Sequence, residues 1–118
     1  HDLPADLVAA FKSTLEELAD ADLLLHLVDV SDDDFEERIE AVDRILDELE
    51  LSHKERLLVF NKCDLLDDEI ARTIATRYDA IPISALRPGT FLPLKDAIAA
   101  RLFAQNQRAI AAQREDEG

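Results

Sequence analysis

A parallel α/β fold is the class that this chain of 118 residues predicts. Short apolar runs alternate with stretches whose apolar residues recur every three or four positions, which is typical of strands that alternate with helices. Such chains form parallel sheets through right-handed crossovers. Hydrophobic residues make up 47% of the sequence, enough for a core. We therefore expect one domain of about three parallel strands and four helices over residues 1–112, followed by a disordered acidic tail over 113–118.

The strands are predicted from nearly continuous apolar runs, because a parallel strand is covered on both faces. The longest run contains one histidine, His26, which we interpret as a core or edge residue with satisfied hydrogen bonds. The predicted strands are residues 22–30, 56–60 and 80–83. Ligands of parallel sheets bind beyond the carboxyl ends of the strands, so Asp29, Asn61 and Ser84 are placed where a ligand would lie.

The helices are predicted from apolar stripes with helical spacing. The predicted helices cover residues 5–19, a stretch from Phe35 to Leu49, residues 67–78 and residues 91–112. Ser31 and the three aspartates 32–34 precede the second helix and are expected to cap it. Ile70 and Ile74 are the apolar residues of the third helix, and Leu94, Ile98 and Leu102 form the stripe of the last.

The tetrapeptide Asn61-Lys62-Cys63-Asp64 directly follows a predicted strand and can read the edge of a purine. Asp64 offers only acceptors, and guanine presents two donors, N1–H and the 2-amino group. Adenine has neither, so the carboxylate would be left unpaired at a cost of about 1–3 kcal/mol or more. Lys62 supplies an apolar stem that can cover a flat ring. The ordinary alternative is a strand end followed by an aspartate helix cap, with Cys63 as a small packed residue.

This tetrapeptide resembles the N-K-x-D base-recognition motif of the P-loop GTPases. In those proteins a Ser-Ala-Lys-like loop follows the next strand, and its backbone N–H contacts the guanine oxygen. Ser84-Ala85 stands at that place here, while Leu86 departs from the usual lysine. The resemblance therefore implies a guanine site formed by Asn61, Lys62, Asp64, Ser84 and Ala85.

The opening of the chain resembles the HflX family of translational GTPases. The resemblance rests on Asp2-Leu3-Pro4, on Leu7 to Phe11, on Ser13 to Glu17 and on Ala21 to Asp29, and it extends to about residue 100. In that family this stretch follows switch II, so the chain looks like the C-terminal half of a Ras-like P-loop G domain. The resemblance implies a cytoplasmic, ribosome-associated parent that binds and hydrolyses GTP.

The phosphate-binding half of such a domain is missing from the sequence. Gly89 and Gly118 are the only glycines, so no glycine-rich phosphate loop can form. We therefore expect no catalytic residue, no metal ligand and no hydrolysis in this chain, weak or absent binding of GTP or GDP, and Mg²⁺ only in the full-length parent. The strand 22–30 would lack its P-loop neighbour, and this predicts a homodimer through that open edge. The alternative is that the helix 5–19 folds over the gap.

The composition favours a cytosolic protein that does not itself grip nucleic acid. The formal net charge is −14, which opposes binding to a phosphate backbone. One cysteine is compatible with a reducing compartment, and no apolar run is long enough for a membrane helix. Two other functions stay open: a G domain of a neighbouring family that acts in tRNA modification or ribosome assembly, and a non-catalytic module whose acidic helices bind a protein.

Overall fold

The computed structural model describes residue 9 and residues 17–117, in which three parallel strands alternate with three α-helices. The strands are β1 (Leu24–Asp29), β2 (Arg56–Asn61) and β3 (Ile81–Pro82), in the sheet order β1-β2-β3. The helices are α1 (Phe35–Glu48), α2 (Asp68–Tyr78) and α3 (Phe91–Glu117). Short 3-10 helices cover Glu17–Asp20, Cys63–Leu65 and Pro88–Thr90. The predicted α/β class is confirmed, while most of the predicted helix 5–19 lies outside the described residues.

The register of the sheet brings the carboxyl ends of the strands to one edge. β1 and β2 pair in parallel from Leu24 opposite Arg56 to Asp29 opposite Asn61. β3 adds a short parallel pairing to the other side of β2, with Phe60 opposite Pro82. The loops that directly follow β2 and β3 therefore start next to each other at this edge.

The two faces of the sheet are covered by different helices, as expected from the alternation of side chains along a strand. On one face Phe60 packs with α1 and α2, and the rings of Phe35, Phe60 and Tyr78 meet edge to face with centroids 5.7–6.1 Å apart. On the other face Leu57 and Val59 pack against α3. Because both faces are covered, the centre of β2 is the most buried part of the described chain.

The strand β1 is less protected than β2. Within residues 17–117 it pairs with β2 alone, so its second edge carries no ladder. The side chains of Leu25 and Leu27 are 45% and 60% exposed, although they share the face that α3 covers over β2. The predicted dimer through 22–30 stays a prediction.

The starts of the first two helices differ in how they are capped. Asp34 occupies the position before α1, but its side chain makes no capping hydrogen bond, so the predicted aspartate cap is wrong in this respect. Instead Asp29 accepts hydrogen bonds from Ser31 and closes the preceding turn. At α2 the Asp67 carboxylate does cap, accepting from the Glu69 N–H at 2.9 Å.

The buried sides of α2 and α3 also depart from the predicted stripes. Ala71 and Ala75 are the buried residues of α2, and Ile70 is exposed. α3 continues to Glu117, so most of the segment predicted as a disordered tail is helical. Its residues after 108 are largely Ala, Gln, Arg and Glu, which are strong helix formers, and no proline or glycine interrupts them before Gly118. Leu102 is partly exposed rather than fully buried.

Candidate functional site

The turn after β2 is built around Lys62. Its backbone is left-handed, with φ 64° and ψ 31°, an uncommon conformation for a residue with a β-carbon. The Asn61 side-chain oxygen accepts a hydrogen bond from the Lys62 N–H at 2.8 Å and holds the turn in place. The Leu65 N–H then donates to the Lys62 carbonyl at 3.0 Å, closing the 3-10 helix over Cys63–Leu65. Such strain is typical of positions that have a function.

The Lys62 side chain is tied to the end of the neighbouring strand. Its Nζ lies 2.8 Å from Oδ2 of Asp29, and Oδ1 of Asp29 accepts from the Ser31 N–H and hydroxyl at 3.0 and 2.6 Å. The Lys62 ammonium, and then Ser31, lower the pKa of the Asp29 carboxyl to about 2, and Asp29 in turn raises the pKa of Lys62. From the sequence, Asp29 could contact a ligand or stabilise a turn at this edge. In the structure its carboxylate stabilises the turn through Ser31 and forms an ion pair with Lys62.

Asp64 and Ser84 are joined directly, although they are 20 residues apart in the chain. The Ser84 hydroxyl donates to Oδ1 of Asp64 at 2.6 Å and accepts from the Leu86 N–H at 3.2 Å. Ser84 is 1% exposed, so this contact lies beneath the surface. The structure thus brings the two predicted motifs together and fixes one oxygen of the Asp64 carboxylate.

Backbone hydrogen bonds support the same junction. The Ile83 N–H donates to the Phe60 carbonyl at 2.7 Å, and the Cys63 N–H donates to the Ile83 carbonyl at 3.2 Å. Ala85, one residue further, is exposed, and we find no hydrogen bond from its N–H to any described residue. A donor without a partner among the described residues therefore directly follows Ser84, the residue that holds the Asp64 carboxylate.

Several known proteins that are similar to this chain bear the name GTPase HflX. No protein-family model matches the chain. The GTPase HflX of Magnetococcus marinus is 49% identical over 85 residues, which is 70% of this chain and 19% of that protein. The GTPase HflX of Alkalihalophilus pseudofirmus is 44% identical over 95 residues, or 80% and 22% of the two chains, and that of Escherichia coli K12 is 52% identical over 66 residues, or 56% and 16%.

The chain belongs to the HflX family. It spans about a fifth of the length of the curated relatives that it matches. The prediction made from the opening segment and the two motifs is thereby confirmed at the level of the family. These matches favour the HflX family over the alternative of a neighbouring GTPase family.

A residue that the sequence interpretation missed in this HflX-family chain is Thr90. Its hydroxyl accepts from the Ser84 N–H at 2.9 Å and reaches the Arg87 carbonyl at 2.8 Å. Arg87 also forms an exposed ion pair with Asp68 at 3.1 Å, which links this loop to α2. The available signal was its position directly after Pro88-Gly89 and before a helix, where a threonine hydroxyl often bonds to nearby backbone groups.

Cys63 is a packed residue of this chain. It lies against the cluster around Phe60, and its Sγ donates to the Phe60 carbonyl at 3.2 Å. Burial raises the pKa of the thiol, which keeps it protonated and weakly nucleophilic. These contacts support the interpretation of Cys63 as a small packed side chain.

An open cavity of about 420 Å³ lies beside the junction of the two motifs. Its lining includes Asp64 and Ser84 but also residues of α2, and neither Asn61, Lys62 nor Ala85 takes part. The cavity thus lies on the α2 side of the Asp64–Ser84 contact. It differs from the predicted base surface, because that surface includes Lys62 and the cavity does not. We place the candidate site by the hydrogen-bonding groups, because the cavity lacks three of the five predicted residues.

Within residues 17–117 no group of three or more His, Cys, Asp and Glu side chains is arranged to hold a metal ion. No helix in the described part of the chain is long and apolar enough to cross a membrane.

Proposed function

We propose that this chain is the guanine-recognition part of an HflX-like GTP-binding protein. The observation that carries the proposal is the 2.6 Å hydrogen bond from Ser84 to Asp64, which unites the two base motifs. The relatives are named GTPases, and this supports guanine nucleotides as the ligand class.

Each of the five residues has a defined part in the proposed site. The Asp64 carboxylate accepts from N1–H and the 2-amino group of guanine, and the exposed N–H of Ala85 donates to the guanine oxygen. Ser84 holds Asp64 in place through its hydroxyl. The Lys62 stem covers the ring, and Asn61 stabilises the left-handed turn that presents it.

The phosphates would be bound outside this chain. The sequence offers no glycine-rich loop, so GTP hydrolysis, Mg²⁺ and ribosome association are proposed for a longer cytoplasmic parent. Base contacts alone correspond to binding near the millimolar range, roughly −4 kcal/mol. Self-association through β1 is proposed on a separate observation, the exposed Leu25 and Leu27 at an open sheet edge.

Nucleotide titration followed by NMR tests the main proposal. GDP, GTP and ADP are added separately while the amides of Asn61, Asp64 and Ala85 are observed. We expect shifts at these amides with GDP and GTP and none with ADP. A well-dispersed spectrum that no guanine nucleotide alters would favour the alternative, a non-catalytic module whose acidic helices bind a protein.

The Asp64→Asn variant tests the residue that selects the base. Its amide replaces an acceptor by a donor, so guanine binding should weaken by about tenfold or more, since an interaction of a charged group is lost. Binding of xanthosine diphosphate, whose base carries a 2-oxo group, should improve. Asp47→Asn is the control, because Asp47 is an exposed carboxylate on α1 and its removal changes the net charge equally. An unchanged ratio of guanine to xanthine affinity in Asp64→Asn would refute the role of Asp64.

A further inference from the structure

A chain of hydrogen bonds runs from the start of α3 to the base-reading carboxylate. The Thr90 hydroxyl accepts from the Ser84 N–H at 2.9 Å, and the Ser84 hydroxyl donates to Asp64 at 2.6 Å. The single proton of the Thr90 hydroxyl is best placed toward the Arg87 carbonyl, at 2.8 Å, since the Ser84 carbonyl is farther, at 3.3 Å. Thr90 therefore acts on Asp64 only through Ser84.

The burial of Ser84 gives this connection its importance. At 1% exposure its N–H has no access to bulk water and depends on Thr90 for a partner. Without the Thr90 hydroxyl the N–H would be left unpaired, which is costly for a buried donor, so the loop would shift until water reached it. Such a shift would move both the Ser84 hydroxyl and the neighbouring N–H of Ala85.

A second side-chain contact of this loop, the ion pair between Arg87 and Asp68, is weaker. Arg87 and Asp68 form an ion pair whose side chains are both largely exposed to solvent. Exposed ion pairs contribute little because water screens them and the long side chains lose freedom. The hydrogen bond from the Ser84 N–H to the Thr90 hydroxyl is thus better fixed than the Arg87–Asp68 ion pair.

We propose that Thr90 is a positioning residue that sets the preference of the base site for the 2-amino group of guanine. The inference rests on the proposed function, because it assigns Thr90 a part in the same site. Recognition of this kind requires donors and acceptors to be held within about 0.5 Å of their productive positions. The base of inosine has the N1–H and the 6-oxo oxygen of guanine but lacks the 2-amino group, so the affinity ratio of GDP to IDP reports how well Asp64 is placed.

Three variants separate positioning from simple stabilisation. Thr90→Val keeps the shape and removes the hydroxyl, while Thr90→Ser keeps the hydroxyl. Thr73→Val is the matched control: the Thr73 hydroxyl bonds to the Glu69 carbonyl at 2.9 Å on the exposed side of α2. In titrations of the 118-residue chain we expect Thr90→Val to lower the GDP-to-IDP affinity ratio about 3- to 10-fold, the range of one lost hydrogen bond. Thr90→Ser should restore the ratio, and Thr73→Val should leave it unchanged.

A ligand-free measurement accompanies the titration. Hydrogen exchange of the Ser84 amide should accelerate about 3- to 10-fold in Thr90→Val, while the amide of the buried Val59 keeps its rate. Equal acceleration at Ser84 and Val59 would indicate general destabilisation and would overturn the proposal.

The remaining outcomes distinguish the two hypotheses. Guanine-specific binding with the same GDP-to-IDP ratio in wild type and Thr90→Val would overturn the role of Thr90 and leave the proposed function intact. Absence of guanine-specific binding by the wild-type chain would overturn both. Thr90→Ala removes the same hydroxyl without added bulk, and loss of the folded spectrum in both Thr90→Val and Thr90→Ala would assign Thr90 a purely structural role.

Discussion

Two titratable residues of β1 are shifted downward in pKa for different reasons. Asp29 is partly exposed, and its pKa of about 2 results from direct contacts with Lys62 and Ser31. His26 is half-buried, and its pKa is lowered from 6.5 first by burial and then by the nearby Arg56 guanidinium, against an opposing effect of Asp43. Its Nδ1 is buried and has no hydrogen-bond partner in the described part of the chain, so the prediction of a satisfied histidine is wrong. A network at the exposed strand end stabilises the charged form of Asp29, whereas the interior disfavours the charged form of His26.

His26 should make stability depend on pH just below neutrality. Its folded pKa lies below the unfolded value of 6.5, so the unfolded chain binds the proton more readily. The free energy of unfolding should be at its full value above pH 6.5 and should fall as the pH drops toward the folded pKa. The slope can reach at most about 1.4 kcal/mol per pH unit. Urea unfolding between pH 7.5 and pH 5 measures it, and the window ends above the range in which ordinary carboxylates titrate.

The control for this prediction is His53, a histidine that lies in a loop. His26→Leu should remove the slope over this window, and His53→Gln should keep it, since His53 is exposed. Equal pH dependence in wild type and His26→Leu would show that His26 does not cause the effect.

At the scale of elements, the strands were predicted closely because their signals are local. The run Leu57 to Phe60 and the polar Asn61 after it define both the position and the end of β2, and the structure ends that strand at Asn61. The end of α3 was predicted five residues too early, because the acidic residues after Arg114 were interpreted as a tail although they continue a helix. Ile70 and Ile74 were named as the apolar residues of the third helix, but α2 fully buries Ala71 and Ala75, while Ile74 packs against the core and Ile70 is exposed.

The residues of the site also differ in whether their signal is local in the sequence. Asn61, Lys62 and Asp64 could be selected from four adjacent letters. The contact of Thr90 with Ser84 could not, because it depends on how the loop after β3 folds onto the start of α3. Side-chain hydrogen bonds between separate elements follow from the three-dimensional packing, and no sequence spacing encodes them.

The last turns of α3 should contribute little to stability. The described side chains beyond Ala112 are exposed, so a chain that ends at Ala112 should lose helical circular dichroism while its free energy of unfolding changes by less than about 0.5 kcal/mol. A deeper deletion from Leu102 onward is the contrast. It removes the hydrogen bond from Gln105 to the Asp22 carbonyl at 2.7 Å and the Arg108–Glu55 ion pair at 3.3 Å, and it should destabilise clearly. Similar losses from both deletions would contradict this division of α3.

At the scale of the whole molecule, two features oppose each other. The net charge of −14 makes two copies repel, while the edge of β1 that is unpaired within residues 17–117 and the exposed Leu25 and Leu27 favour pairing with another strand. Repulsion between surface charges is screened within about 10 Å at 0.1 M ionic strength. Backbone pairing and apolar contact are not weakened by salt. Ionic strength therefore decides which feature dominates.

This balance predicts self-association that increases with salt. In sedimentation velocity runs at one high protein concentration, we expect the chain to be mostly monomeric at about 0.01 M salt, where the Debye length is about 30 Å, and to form dimers at about 0.5 M. Leu27→Glu should abolish the dimer, because it places a charge at the centre of the open strand. Leu92→Glu is the control, since Leu92 is an exposed leucine on α3 and does not belong to β1. A monomer at every salt concentration would refute pairing through β1, and equal loss of the dimer in both variants would place the contact elsewhere.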